Sequence, residues 1–140
     1  MSGAACELVA RCFAVRTSAH FAHLCTTSYA QHMALGDFYD AIAASADEFF
    51  ECWMGIFGKV EISAFPAQRL PASDPVTQLS DLRKWLVENR EECCEAYTDK
   101  DVSNEPAEDA DQVGNTELAN LIDNILAVVD RTTYKLKFLG

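Results

Sequence analysis

Basic side chains are scarce in this sequence: 11 lysines and arginines stand against 22 aspartates and glutamates, for a formal net charge of −11. Binding a phosphate backbone takes clustered Lys and Arg that displace counterions, so the balance speaks against nucleic acid as a partner. Long uncharged apolar runs are missing as well, which argues against a helical membrane span. The six cysteines, at positions 6, 12, 25, 52, 93 and 94, include no CxxC pair. Neither a zinc knuckle nor a disulfide framework is indicated, and reduced thiols that pack as small hydrophobes are the simplest reading. There is no Gly-rich phosphate loop, GxSxG elbow, EF-hand pattern or internal repeat. The opening MSGAACELVARCF lacks a basic n-region and carries Glu7 early, so the expectation is a cytoplasmic protein without a secretion signal.

What is present is helical periodicity. With 140 residues, 49% of them hydrophobic, the chain fits one domain spanning 1–140 with a core of useful size. From about Gly3 to Tyr29, the apolar positions Leu8, Cys12, Val15, Ala19 and Ala22 recur at three and four residues with no proline between them. From about His32 to Phe57, Leu35, Phe38, Ile42, Phe49, Trp53 and Ile56 repeat the spacing, and Gly58 supplies a stop. A short turn near Ala30, Gln31 and His32 is expected to join the two segments.

The stretch GKVEISAFPAQRLPASDP holds three of the four prolines and reads as an irregular connection. Ser73 or Asp74 then caps a third helix whose first turn accepts Pro75, with Leu79, Leu82 and Leu86 on its buried side. The acidic TDKDVSNEPAEDADQVGN reads as a solvated loop. Asn115 or Thr116 caps a fourth helix with Leu118, Leu121, Ile122, Ile125, Val129 and Leu136 on one face. Four apolar stripes of helical period have nowhere to go except against one another. The expected fold is therefore an all-α four-helix bundle with a long connection between its second and third helices, a layout found in ferritin-like and in simple up-down bundles.

The chemistry-bearing residues concentrate between Ser18 and Trp53. All three histidines, His20, His23 and His32, lie there, followed by Asp37, Asp40, Asp47, Glu48 and Glu51. On a helical wheel Asp40, Asp47 and Glu51 share one stripe, whose plain reading is a solvated acidic face. Beside it runs a second apolar strip, Gly36, Tyr39, Ala43, Phe50, Met54 and Phe57, on a helix that needs only one. Cover by a second copy of the chain across a two-fold axis is expected, with the carboxylates at or beside the interface of a homodimer. His23, three residues from His20, reads as a structural residue or as an additional ligand. Asp123 and Asp130 read as a solvated stripe on the fourth helix.

The order His20, eleven residues, His32, then Asp47 and Glu51 resembles the H-x11-H-x3-D-x10-D-x3-E ferroxidase pattern of the Dps miniferritins. "SAHF", "AQHMAL" and "DEFFE" are similar to that family's corresponding segments, and the last 26 residues look like its final helix. A SYAxHxALGxFYD segment also resembles one in small phage proteins with no assigned activity. The Dps resemblance implies a ferritin-like bundle in which His20 and His32 of one subunit meet Asp47 and Glu51 of its two-fold mate. Such a site would hold iron, or another divalent metal such as zinc. The pattern departs at one ligand: the aspartate due four residues after His32 is Gly36, and Asp40, one turn on, is the substitute carboxylate. A Lys-rich tail is lacking, and Pro-rich sequence stands where a short helix belongs. Two functions follow as expectations: an inter-subunit metal site with Dps-like chemistry, or a metal-free dimeric structural or interaction module of phage type.

Overall fold

The computed structural model describes residues 3–96 and 110–140, with backbone alone over 110–115. The described residues form α1 (Ala4–Cys25), α2 (Tyr29–Phe57), a 3-10 turn (Ile62–Ala64), α3 (Pro75–Glu88), the single turn α4 (Arg90–Cys93) and α5 (Ala110–Phe138). The protein is all-α, and the described residues contain no strand. The acidic stretch 97–109 lies outside them.

Local chemistry sets each helix boundary. The turn between α1 and α2 is Thr26–Ser28, four residues earlier than Ala30–His32, which are already helical. Ser28 caps α2 by accepting the Gln31 N–H at 3.2 Å, while the Thr26 hydroxyl donates to the Gln31 side chain. Ser-x-x-Gln is thus a capping pattern that ends one helix and starts the next. Gly58 stops α2 with φ 104°, a left-handed-side conformation that glycine adopts without a Cβ clash. Asp74 caps α3, accepting from Thr77 N–H at 3.1 Å and Thr77 Oγ1 at 2.7 Å, with Pro75 next in line. Helix α5 begins at Ala110 and passes through Asn115 and Thr116, so neither is its cap.

The core joins all four long helices. Leu8, Cys12, Val15 and Ala19 of α1 are buried against Leu35, Phe38, Ile42, Phe49 and Trp53 of α2, Leu79, Leu82 and Leu86 of α3, and Leu118, Ile122, Ile125 and Val129 of α5. Side chains of this size each contribute about 1.5–3 kcal/mol on burial, which a chain of this length can accumulate without cross-links. None of the six cysteines forms a disulfide among the described residues.

Inter-helix contacts fix the directions. Helix α1 packs on α2 and α3, and α5 packs on the same two. The Arg11 guanidinium lies 4.8 Å over the Trp85 ring, and Cys93 Sγ donates to the Ala4 carbonyl at 3.4 Å, so α3 runs antiparallel to α1. Arg83 pairs with Asp130 at 2.9 Å and Arg90 with Asp123 at 2.8 Å, an antiparallel ladder between α3–α4 and α5. The two aspartates read as merely solvated therefore bridge two helices. Lys135 meets Asp37 at 3.6 Å, which sets the end of α5 beside the start of α2. Helices α1 and α5 run one way, α2 and α3 the other, and the connection 58–74 returns along the length of the molecule.

Candidate functional site

The histidines sit at the hairpin end, where α1 leaves and α2 begins. His23 and His32 stack face to face with ring centroids 3.7 Å apart and planes 18° from parallel. His23 Nδ1 lies 2.6 Å from the His32 carbonyl, and His32 Nδ1 lies 2.8 Å from the His23 carbonyl. A carbonyl only accepts, so both Nδ1 atoms carry hydrogen, and in a neutral ring Nε2 is left as the acceptor. The pair closes the hairpin reciprocally. His20 stacks on Tyr39 at 4.0 Å, and the edge of Tyr39 meets His23 at 5.4 Å.

This arrangement limits what the rings can ligate. An imidazole lone pair lies in its ring plane, and two nearly parallel rings 3.7 Å apart cannot converge their lone pairs on one ion at the roughly 2.0–2.1 Å a Zn–N bond needs. Among the described residues no group of three His, Cys, Asp or Glu side chains is disposed to hold a metal. Gly36 is also explained by the cluster. A Cβ at that position would lie 3.1 Å from His23 Cε1 and 3.2 Å from His23 Nδ1, so the missing side chain is space that the imidazole uses.

Asp40, Asp47 and Glu51 are exposed on α2. Asp47 lies 15 residues beyond His32 on the same helix, about 22 Å along its axis, so within one chain Asp47 and Glu51 do not meet His32. Asp47 and Glu51 instead flank an open groove of about 690 Å³ on the outer side of the α1–α2 pair. Its floor and walls are apolar: Val9, Phe13 and Ala14 from α1, Phe50 and Met54 from α2, and Ile62, Phe65, Pro66 and Leu70 from the returning connection. Among the described residues, the two carboxylates are its only charged lining residues.

The same connection answers the question raised by the second apolar strip of α2. Phe50 and Phe57 are buried within the single chain, with Phe65 at 5.1 Å from the Phe50 ring, and Tyr39 carries the two imidazoles. The strip is thus covered largely from within, by a segment whose fold-back the sequence does not announce. What remains open lies on α1 and the connection: Phe13, Ile62 and Leu70 are exposed beside the groove. Helical wheels centred on α2 alone do not reveal this surface. The signal that could have found it is the spacing Phe13, Phe21, Leu24 on the side of α1 opposite its core positions.

An all-α protein with a stapled hairpin and an apolar outer groove is the class that fold and site define. The chain belongs to a family of unknown function, DUF5856, whose model matches residues 23–105, from His23 through α2, the connection and α3. No curated protein and no solved structure matches it.

Proposed function

We propose that the chain is a ferritin-like four-helix bundle that works as an interaction module through the groove on the outer face of α1 and α2. The ferritin-like reading rests on helix order: first and last helices run one way, the middle two the other, with a long connection returning between them. The observation that carries the binding role is the groove itself, an apolar concavity of about 690 Å³ on the outer face beside the core. Its volume falls within the range of ligand-binding clefts. Nile red, a neutral apolar dye, should gain fluorescence with the cooperatively folded protein and lose most of that gain with Phe13→Asp. Dye binding that Phe13→Asp leaves unchanged would remove the groove from the function.

The Dps-like reading, iron or zinc between His20 and His32 of one subunit and Asp47, Glu51 and Asp40 of a second, is favoured by one observation: the carboxylates are exposed and adjacent, open to a second copy. Against it stands the stacking of His32 on His23 at 3.7 Å and of His20 on Tyr39 at 4.0 Å, although the Nδ1 bonds to backbone carbonyls leave the Nε2 atoms open to ligate. Titration of Fe(II) without oxygen, and of Zn(II), into wild type, His32→Ala and Glu51→Ala separates the readings. The interaction-module reading expects no stoichiometric site and no change of mass on metal addition. A site lost in both variants, with a metal-dependent homodimer, would establish the Dps-like one.

A further inference from the structure

The groove is the lower part of a longer surface. Phe13, Thr17, Phe21 and Leu24 fall within about 80° of arc on α1 at 100° per residue, and Phe21 and Leu24 are 53% and 66% exposed. From Val9 to Leu24 the stripe runs about 22 Å, four helical turns, more than a small molecule spans. Across from it α2 presents a parallel stripe of different character. Asp40, Asp47 and Glu51 lie within about 40° of one another, and Tyr29 and Met33 continue that line to the hairpin end. None of the three carboxylates has a basic partner among the described residues, and none of the groove's lining residues is basic.

An occupant must therefore be long, apolar along one side and positive along the adjoining edge. We infer that this face seats an amphipathic helix of a partner protein, about 15 residues long, whose apolar anchors fill the groove along α1 while Lys or Arg side chains meet Asp40, Asp47 and Glu51. The inference rests on the interaction-module reading and adds to it the chemistry of the partner. Two antiparallel helices leave a furrow into which a third helix fits, with anchors at i, i+3 or i+4, and i+7. A second copy is the poorer match. On a shared two-fold it would set three further carboxylates against these three, and join two chains of net charge −11.

The test uses three synthetic 18-residue helical peptides with the same leucine face, flanked by lysine, by glutamine or by glutamate, and titrated against the full chain by fluorescence anisotropy at low and moderate salt. The lysine peptide is expected to bind at least tenfold more tightly than the glutamate one, with the preference shrinking as salt screens the charges. Asp47→Asn and Glu51→Gln should each weaken it about two- to fivefold, the range of exposed ion pairs. Phe13→Asp should abolish binding of all three. Glu88→Gln, on the exposed face of α3, should change nothing; if it weakens binding as much as the groove variants, the attraction is the diffuse field of an acidic protein and the inference falls. Equal binding of all three peptides, lost in Phe13→Asp, would overturn the basic partner while leaving the groove as a docking site. Sedimentation of wild type as a dimer that Phe13→Asp converts to monomer would give the face to a second copy. Peptide binding indifferent to Phe13→Asp would defeat both the inference and the reading beneath it.

Discussion

Two glycines inside the same helix should respond in opposite ways to the same substitution. Glycine in a helix interior costs about 0.8–1.0 kcal/mol relative to alanine, so Gly→Ala stabilises wherever the new methyl finds room. At Gly55 a Cβ would meet nothing within 4 Å, and Gly55→Ala should gain close to that full amount. At Gly36 it would sit 3.1 Å from His23 Cε1, and the ring has nowhere to retreat. His32 lies stacked on it at 3.7 Å, and Nδ1 is held at 2.6 Å by the His32 carbonyl. Moving the ring sacrifices a hydrogen bond worth about 0.5–1.5 kcal/mol and a ring contact worth about 0.5–1.5 kcal/mol. Gly36→Ala should therefore be neutral to about 2 kcal/mol destabilising, at least about 1 kcal/mol below Gly55→Ala. Urea unfolding followed by circular dichroism resolves a gap of that size. The decisive comparison is in a His23→Ala background, where the ring is gone and Gly36→Ala should recover the ordinary gain. Equal stabilisation by Gly36→Ala and Gly55→Ala in the wild-type background would refute the packing argument. So would Gly36→Asp, the residue the Dps pattern places there, folding with no loss.

Thiol reactivity should follow burial. Cys12 is enclosed in the core, where burial pushes its thiol up to about 12, and burial raises Cys93 as well, with the neighbouring Cys94 adding to it. Iodoacetamide at pH 8 should label exposed Cys25 first and leave both unmodified in the folded protein; mass spectrometry showing Cys12 labelled as fast as Cys25 would contradict the packing. The α3 cap should appear in the acid limb of stability. Hydrogen bonds from the Thr77 hydroxyl and N–H hold the Asp74 carboxyl below its usual 3.8, so its contribution is complete above that value and disappears as pH falls through the lower, folded one. Asp74→Asn, which keeps a capping acceptor without the titration, should flatten the pH dependence of unfolding below about pH 4; an unchanged slope would count against the cap.

The all-α class and most core positions were legible because periodicity reports burial directly: Leu35, Phe38, Ile42, Phe49 and Trp53 stand inside as their spacing requires. Asp74 and Pro75 were legible because capping chemistry is local. Sequence pattern puts the hairpin turn four residues late because Cys-Thr-Thr-Ser contains neither Gly nor Pro, and its signal is the Ser28 and Gln31 pair. Sequence pattern sets the start of α5 late because Gly114, Asn115 and Thr116 imitate a helix beginning, although the helix runs through them. The histidine cluster was legible as residues and not as geometry. A wheel orders side chains about one axis, whereas His23 and His32 meet across two helices through a turn whose path fixes which ring faces which carbonyl. The groove was hidden for the same reason, since it exists only where Ile62–Leu70 folds back over α1 and α2.

The reciprocal histidine bonds join residues only nine apart in the chain, so the loop they close is short and its entropic cost is low. Contacts of that kind form on the timescale of the turn itself, whereas the Arg83–Asp130 and Arg90–Asp123 rungs, 47 and 33 residues apart, require a far longer search. The α1–α2 hairpin is then expected to form the nucleus of folding, in register before α3 and α5 dock. Loss of an imidazole at its apex would slow refolding while leaving the rate of unfolding nearly untouched.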